Sequence, residues 1–136
     1  MPTPSFHPAP LPAPAPAPLP ATAADARDRV VALLQACGLP PESPAVTDAL
    51  MLTSELVTNA IRHGRGMTAF RADVHGSALR ISVADRNPDP PVARTGEAPG
   101  IRIGGYGWPL VQSLAEHLTV TRHGTGKQIT ADLRIR

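Results

Sequence analysis

The spacing of apolar residues changes at Gly64, and that change constrains the fold more than any other feature of the chain. Before it, Val46, Ala49, Leu50, Thr53, Leu56, Val57, Ala60 and Ile61 recur at the period of an amphipathic helix. Ser43-Pro44 supplies the start, a capping residue followed by proline at the first helical position, and Gly64 supplies the stop. After Gly64 the period is two. Phe70, Ala72 and Val74 alternate with Arg71, Asp73 and His75; beyond a Gly76-Ser77 turn, Leu79, Ile81 and Val83 alternate with Arg80 and Ser82. Alternation puts one face of each strand in the core, and the tight turn predicts an antiparallel hairpin.

The flanking segments extend this pattern. Thr22, with Asp25 three residues on, opens a helix striped by Val30, Val31, Leu33 and Leu34 and closed by Gly38 and Pro40. Downstream, Leu110, Val111, Leu114 and Ala115 mark a third helix, Leu118 to Thr121 a short strand, and His123 to Gly126 a turn. Ile129, Ala131, Leu133 and Ile135 form the buried face of a last strand. Between hairpin and third helix, Arg86 to Gly107 holds four prolines and five glycines, the make-up of a lid, a binding loop or a disordered segment. Helices grouped apart from antiparallel strand pairs predict an α+β fold. The expected form is a two-layer sandwich, with helices on one face of a mixed, mostly antiparallel sheet. Nine of the 17 prolines fall in the first 20 residues, alternating mostly with alanine. Such a segment favours polyproline II and builds no core. Residues 1–21 are therefore expected to be a disordered leader, and residues 22–136 one folded domain.

The charges narrow the function classes. The net charge is +2 and the basic residues are interspersed, so no stripe suited to tracking phosphates along a nucleic acid is present. One cysteine, Cys37, rules out an internal disulfide. No apolar run reaches the ~20 residues of a membrane span, and no secretory signal is visible. The expectation is a cytoplasmic protein that engages neither membrane nor nucleic acid.

Three groups of residues could carry chemistry. Glu55 and Asn59 stand four apart, on one helix face opposite the apolar stripe. That face is either an ordinary solvated surface or the wall of a pocket. In a pocket, the carboxylate could orient or deprotonate a nucleophile and the amide oxygen could ligate a hard cation. Asp85 ends an apolar strand where the chain enters the long loop; it is either a turn initiator or an acceptor for an amino group. Gly104-Gly105-Tyr106-Gly107 precedes a helix whose first turn holds Trp108 and Pro109, which is either a flexible linker or a phosphate cradle. His63, His75, His117 and His123 show no metal-ligand spacing, and no Ser/His/Asp triad can be argued.

Taken together, these segments resemble a known family. Leu52-Thr53-Ser54-Glu55-Leu56-Val57-Thr58-Asn59-Ala60-Ile61-Arg62-His63-Gly64 closely resembles the asparagine box of the GHKL ATP-binding superfamily. The closer resemblance is to small bacterial anti-sigma-factor serine kinases and stand-alone actinobacterial ATP-binding regulators. Val83-Ala84-Asp85 resembles the strand entering the first glycine box, and Gly105-Tyr106-Gly107-Trp108-Pro109-Leu110-Val111 the second. Gly126 to Leu133 resembles the closing strand. The boxes run in family order across residues 22–136.

The resemblance implies a Bergerat-type fold and a Mg·ATP cofactor. It implies Glu55 as the base, Asn59 as the Mg²⁺ ligand and Asp85 as the acceptor of the adenine amine. Backbone amides of Gly105 and Gly107 would cradle phosphate, under a lid from Arg86 to Gly104. It also implies a protein partner, either a sigma factor or an anti-sigma antagonist phosphorylated on serine or threonine. Relatives of this type often pair, so a homodimer is among the implied states. Two departures stand out. Arg86-Asn87-Pro88-Asp89-Pro90-Pro91 replaces the glycines that usually follow the aspartate. Lys127 and Gln128 occupy the places of a threonine that helps hold adenine, with Thr130 the candidate substitute two residues along. These departures support an alternative from another class, a nucleotide-sensing module that sequesters a partner without phosphorylating it.

Overall fold

The computed structural model describes residues 18–91 and 107–136. The elements run α1 (Ala23–Ala36), α2 (Pro44–Arg62), β1 (Met67–His75), β2 (Ala78–Asp85), α3 (Trp108–Leu114), β3 (His117–His123) and β4 (Gly126–Arg134). The strands form one sheet in the order β1-β2-β4-β3, every neighbouring pair antiparallel. The result is an α+β sandwich. The helices pack against each other through α2, and α1 and α2 lie over β1, β2 and β4.

The local signals act as the sequence suggests. Thr22 caps α1, its hydroxyl accepting from the Asp25 amide at 3.1 Å. Ser43 caps α2 without a side-chain bond, leaving Pro44 in the first turn as the start signal. The core lies between the layers. Val30 and Leu34 of α1, with Ala49, Leu52, Leu56 and Val57 of α2, meet Leu79, Ile81 and Val83 of β2 and Ile129, Ala131 and Leu133 of β4. Two positions on α2 depart from the periodic reading. Ile61 is 46% exposed, whereas Leu52, outside the expected stripe, is fully buried. Both lie at the margins of the apolar arc, where burial depends on which neighbour wraps that flank rather than on period. Thr53 is buried as well, its hydroxyl donating to the Ala49 carbonyl at 2.7 Å.

The last residues of the expected leader touch the domain. Pro20 is buried, and the Pro18 carbonyl accepts a hydrogen bond from Arg29 of α1. The opposite face of the sheet carries no helix among the described residues. It forms a shallow concavity of about 480 Å³, lined in part by Arg71, Asp73, His75, Arg80, Ser82 and Thr130. Arg80 and Asp132 face each other across β2 and β4 and form a bidentate pair at 2.8 and 3.0 Å. The Arg80 hydrogen bond holds the Asp132 carboxyl below its usual range, and Asp132 in turn raises the Arg80 guanidinium. No described helix is long and apolar enough to cross a membrane.

Candidate functional site

Glu55 and Asn59 lie on α2 one turn apart, both half-buried. Ser54 fixes how α2 is turned. Its hydroxyl accepts from the Arg27 guanidinium of α1 at 3.0 Å and donates to the Leu50 carbonyl at 2.8 Å. Consecutive helical residues are about 100° apart, so Glu55 is rotated away from the flank that meets α1, and Asn59 follows one turn later. Among the described residues neither side chain has a hydrogen bond or ion pair, so a carboxylate and a neutral amide stand together with their polar atoms uncommitted.

Asp85 is the opposite case. It ends β2 at 3% exposure, directly across the ladder from Lys127, which is 2% exposed. The Lys127 ammonium lies 2.9 Å from Asp85 Oδ2 and donates to Oδ1 at 3.1 Å and to the Asn87 carbonyl at 2.9 Å. The Asn87 amide N–H donates to Asp85 Oδ1 at 2.9 Å, and the Asn87 side chain donates to the His63 carbonyl at 2.8 Å. The Asp89 amide donates to Asn87 Oδ1 at 3.0 Å. Two successive side-chain turns thus shape a segment that proline would otherwise leave extended. Asp85 is both a turn initiator and the acid at a strand end.

Backbone packing closes this corner. The Arg86 amide donates to the Gly64 carbonyl at 2.9 Å, tying the end of α2 to the end of β2. A Cβ on Gly64 would fall 2.5 Å from the Ala60 oxygen and 2.6 Å from Asp85 Cβ. One on Gly126 would fall 2.1 Å from the Asp85 oxygen. The absence of a side chain at both glycines is what lets helix end, strand end and closing strand converge on Asp85. Asn59 lies five residues before Gly64, and its carbonyl accepts from the Gly64 amide at 3.0 Å.

The structure bears unequally on the remaining sequence expectations. Thr130 cannot replace the missing threonine: β4 turns Lys127, Ile129 and Ala131 toward the helices and Thr130 toward the outer face. There the Thr130 hydroxyl lies 3.1 Å from that of Ser82. The error was one of face, because counting two along from Gln128 stays on the outer side. Lys127, which stands where the family resemblance leads one to expect a threonine, lies directly across the ladder from Asp85 and pairs with it, a contact that strand register decides. Gly107 caps α3 with φ +67°, a conformation that favours glycine. Gly105 and most of the expected lid, residues 92–106, lie outside the described residues. No described group of three His, Cys, Asp or Glu could hold a metal.

Comparison with known proteins fits this arrangement of helix, strand ends and closing strand. Residues 16–133 match the model of the histidine kinase-like ATPase domain. No curated protein matches the chain. Among solved structures, the chain is similar to that of the RsbU and RsbW domains of Rv1364c from Mycobacterium tuberculosis. The identity is 22% and the TM-score 0.58, over 83% of this chain and 28% of that one. It is less similar to the histidine kinase domain of the Erythrobacter litoralis EL346 blue-light activated histidine kinase. There the identity is 21% and the TM-score 0.47, over 83% of this chain and 60% of that one. The first likeness is one of fold, and this chain spans under a third of that protein. With the asparagine-box helix, the buried aspartate and the closing strand in family order, and the family match running over most of its length, the chain belongs to the histidine kinase-like ATPase domain family.

Proposed function

We propose that this protein is a Mg·ATP-binding regulator that acts on a protein partner in the manner of anti-sigma-factor serine/threonine kinases. The observation that carries the reading is the pairing of Glu55 with Asn59 on α2. Both are half-buried, with polar atoms uncommitted among the described residues, on a helix whose end abuts Asp85. The donor set suits Mg²⁺ arriving with nucleotide. A single amide oxygen is too little for a dedicated metal cage, but Mg²⁺ keeps most of its waters and takes one or two protein ligands beside phosphate oxygens. Asn59 would hold it, and its charge would offset that of the phosphates.

In this reading Asp85 accepts the exocyclic amine of adenine, and the backbone of Gly105 and Gly107 approaches the phosphates. Glu55 takes the proton of a serine or threonine hydroxyl on the partner as its oxygen bonds to the terminal phosphorus and ADP leaves. Positioning and charge neutralisation carry most of such a transfer, so a small constellation suffices. The partner class, a sigma factor or its antagonist, rests on the resemblance of the asparagine box. A second reading, a nucleotide-gated binder without transfer, is favoured by one observation: the segment after Asp85 is tied down by Asn87 and prolines instead of being freed by glycines.

Equilibrium binding of a fluorescent ATP analogue, with and without Mg²⁺, tests the nucleotide site. Incubation with γ-labelled ATP and candidate antagonists separates the two readings. Label on a serine or threonine identifies a kinase, and partner capture without label identifies the binder.

A further inference from the structure

The arginines of the described residues divide into two groups. Arg71, Arg80 and Arg134 pair with carboxylates, while Arg27, Arg29 and Arg136 donate to a hydroxyl or to backbone carbonyls. Arg62, Arg65, Arg86 and Arg122 are exposed and have neither hydrogen bond nor ion pair among the described residues.

This second group is not scattered. Arg62 is the last residue of α2, and Arg65 stands in the turn that follows. The Arg86 amide is bonded to the carbonyls on either side of Arg65, those of Gly64 and Gly66, at 2.9 and 3.3 Å. The Arg86 guanidinium lies over Gly66, 2.9 Å from where a Cβ would stand. Arg122 is two steps across the sheet from Asp85, through Lys127, or about 10 Å at ordinary strand spacing. The four therefore gather at the end of the sandwich where α2 and β2 stop and β4 starts. Asp85 does not neutralise them, being buried against Lys127. Arg62 complements the dipole of α2 in its last turn. No such role accounts for Arg65, whose φ of +59° is one that glycine adopts more readily.

We propose that this basic rim docks an acidic segment of the protein partner. The inference rests on the protein-partner part of the reading above, gives that partner a chemistry, and holds for kinase and binder alike. Glu55, Asn59 and Arg62 stand at i, i+4 and i+7, so the rim continues the helix face assigned to transfer. From Glu55 to Arg62 is about 10 Å along the axis, the length of about three residues of extended chain. Carboxylates about three residues from the acceptor hydroxyl therefore reach the arginines. A protein fits this rim better than a nucleic acid. The exposed Ile61 precedes Arg62, and the exposed Val120 shares a strand face with Arg122, so apolar side chains flank the charges. Among the described residues no aromatic side chain is exposed for a base to stack on.

Fluorescence anisotropy with the full chain tests the rim. The probes are a labelled peptide with glutamates placed three residues to either side of a serine, the same peptide with glutamines, and a single-stranded oligonucleotide of equal charge. The glutamate peptide is expected to bind in preference to both, and to be released by salt. One exposed arginine–carboxylate pair corresponds to roughly 2–5-fold in affinity. Arg65→Gly, Arg86→Gln and Arg122→Gln combined should therefore weaken the glutamate peptide roughly 10–100-fold and leave binding of the fluorescent ATP analogue as in wild type. The comparison of peptides on the wild type stands even if the triple variant fails to fold. Equal binding of the two peptides, or binding of neither, overturns the proposal. So does undiminished peptide binding in a folded triple variant, as does loss of ATP-analogue binding there in place of peptide binding. Tighter binding of the oligonucleotide makes the rim a nucleic-acid site and overturns it as well. Absence of ATP binding by the wild type overturns the nucleotide reading and leaves the rim standing.

Discussion

At the residue scale, the two polar pairs of this site differ in what they leave available. Glu55 and Asn59 are half-buried and have no polar partner among the described residues, whereas Asp85 and Lys127 satisfy each other in the interior. Substitution should therefore separate function from stability. Asn59→Ala is expected to abolish Mg-dependent ATP-analogue binding with an unchanged melting curve. Glu55→Ala should bind the analogue like wild type and transfer phosphate roughly 10²–10⁴-fold more slowly, as loss of a general base does. Retained Mg-dependent binding in the first variant, or undiminished transfer in the second, contradicts those roles. Breaking the buried pair from either side strands a charge and should cost about 3–5 kcal/mol by urea denaturation. Replacing both partners, as in Asp85→Leu with Lys127→Met, should cost less than the two single changes together. Strict additivity would mean the pair is not coupled.

At the element scale, the outer sheet face and the strand mouths make contrasting demands. Arg80–Asp132 is a surface pair, so Asp132→Asn should cost under ~1 kcal/mol at neutral pH. The folded carboxyl is depressed, so its contribution is present above the unfolded value near 4. It fades as pH falls through the folded one. Denaturation midpoints of wild type and Asp132→Asn should accordingly converge below about pH 4, and a constant gap down to strongly acid pH would contradict the pairing. Gly126→Ala meets backbone instead of water, its Cβ aimed at the Asp85 carbonyl. It should destabilise by at least ~1–3 kcal/mol, because overpacking against backbone has no cheap relief. The alternation of β2 and β4 was readable because each has one face in the core. The face of Thr130 was misjudged because a slip of one position inverts a strand.

At the scale of the whole molecule, the boundary of the folded body is the open quantity. The leader composition predicts that residues 1–21 contribute nothing, but Pro20 is buried and the Pro18 carbonyl is held by Arg29. Deleting residues 1–17 should leave the melting temperature within about a degree. Deleting 1–21 should lower it by a few degrees, as removal of about 1 kcal/mol does in a domain of this size. Equal melting temperatures for the two truncations would make the Pro20 contact energetically idle.

The sequence by itself determined the elements and most of their buried positions. Period 3.6 up to Gly64, period two beyond it, the cap at Thr22 and the proline start at Pro44 are local signals, and local geometry answers to them directly. The sequence also contained the asparagine-box helix, because a four-residue spacing puts Glu55 and Asn59 on one face in any helix. What only the tertiary structure decided was contact between segments far apart in the chain. Lys127 meets Asp85 across 42 residues, Asn87 meets His63 across 24, and Gly64 and Gly126 press on one aspartate from two elements. No periodicity encodes such meetings, since they depend on strand register and on how closely glycine lets backbones approach. Those same meetings decide whether Asp85 stands as a lone acceptor or, as here, beside a buried donor.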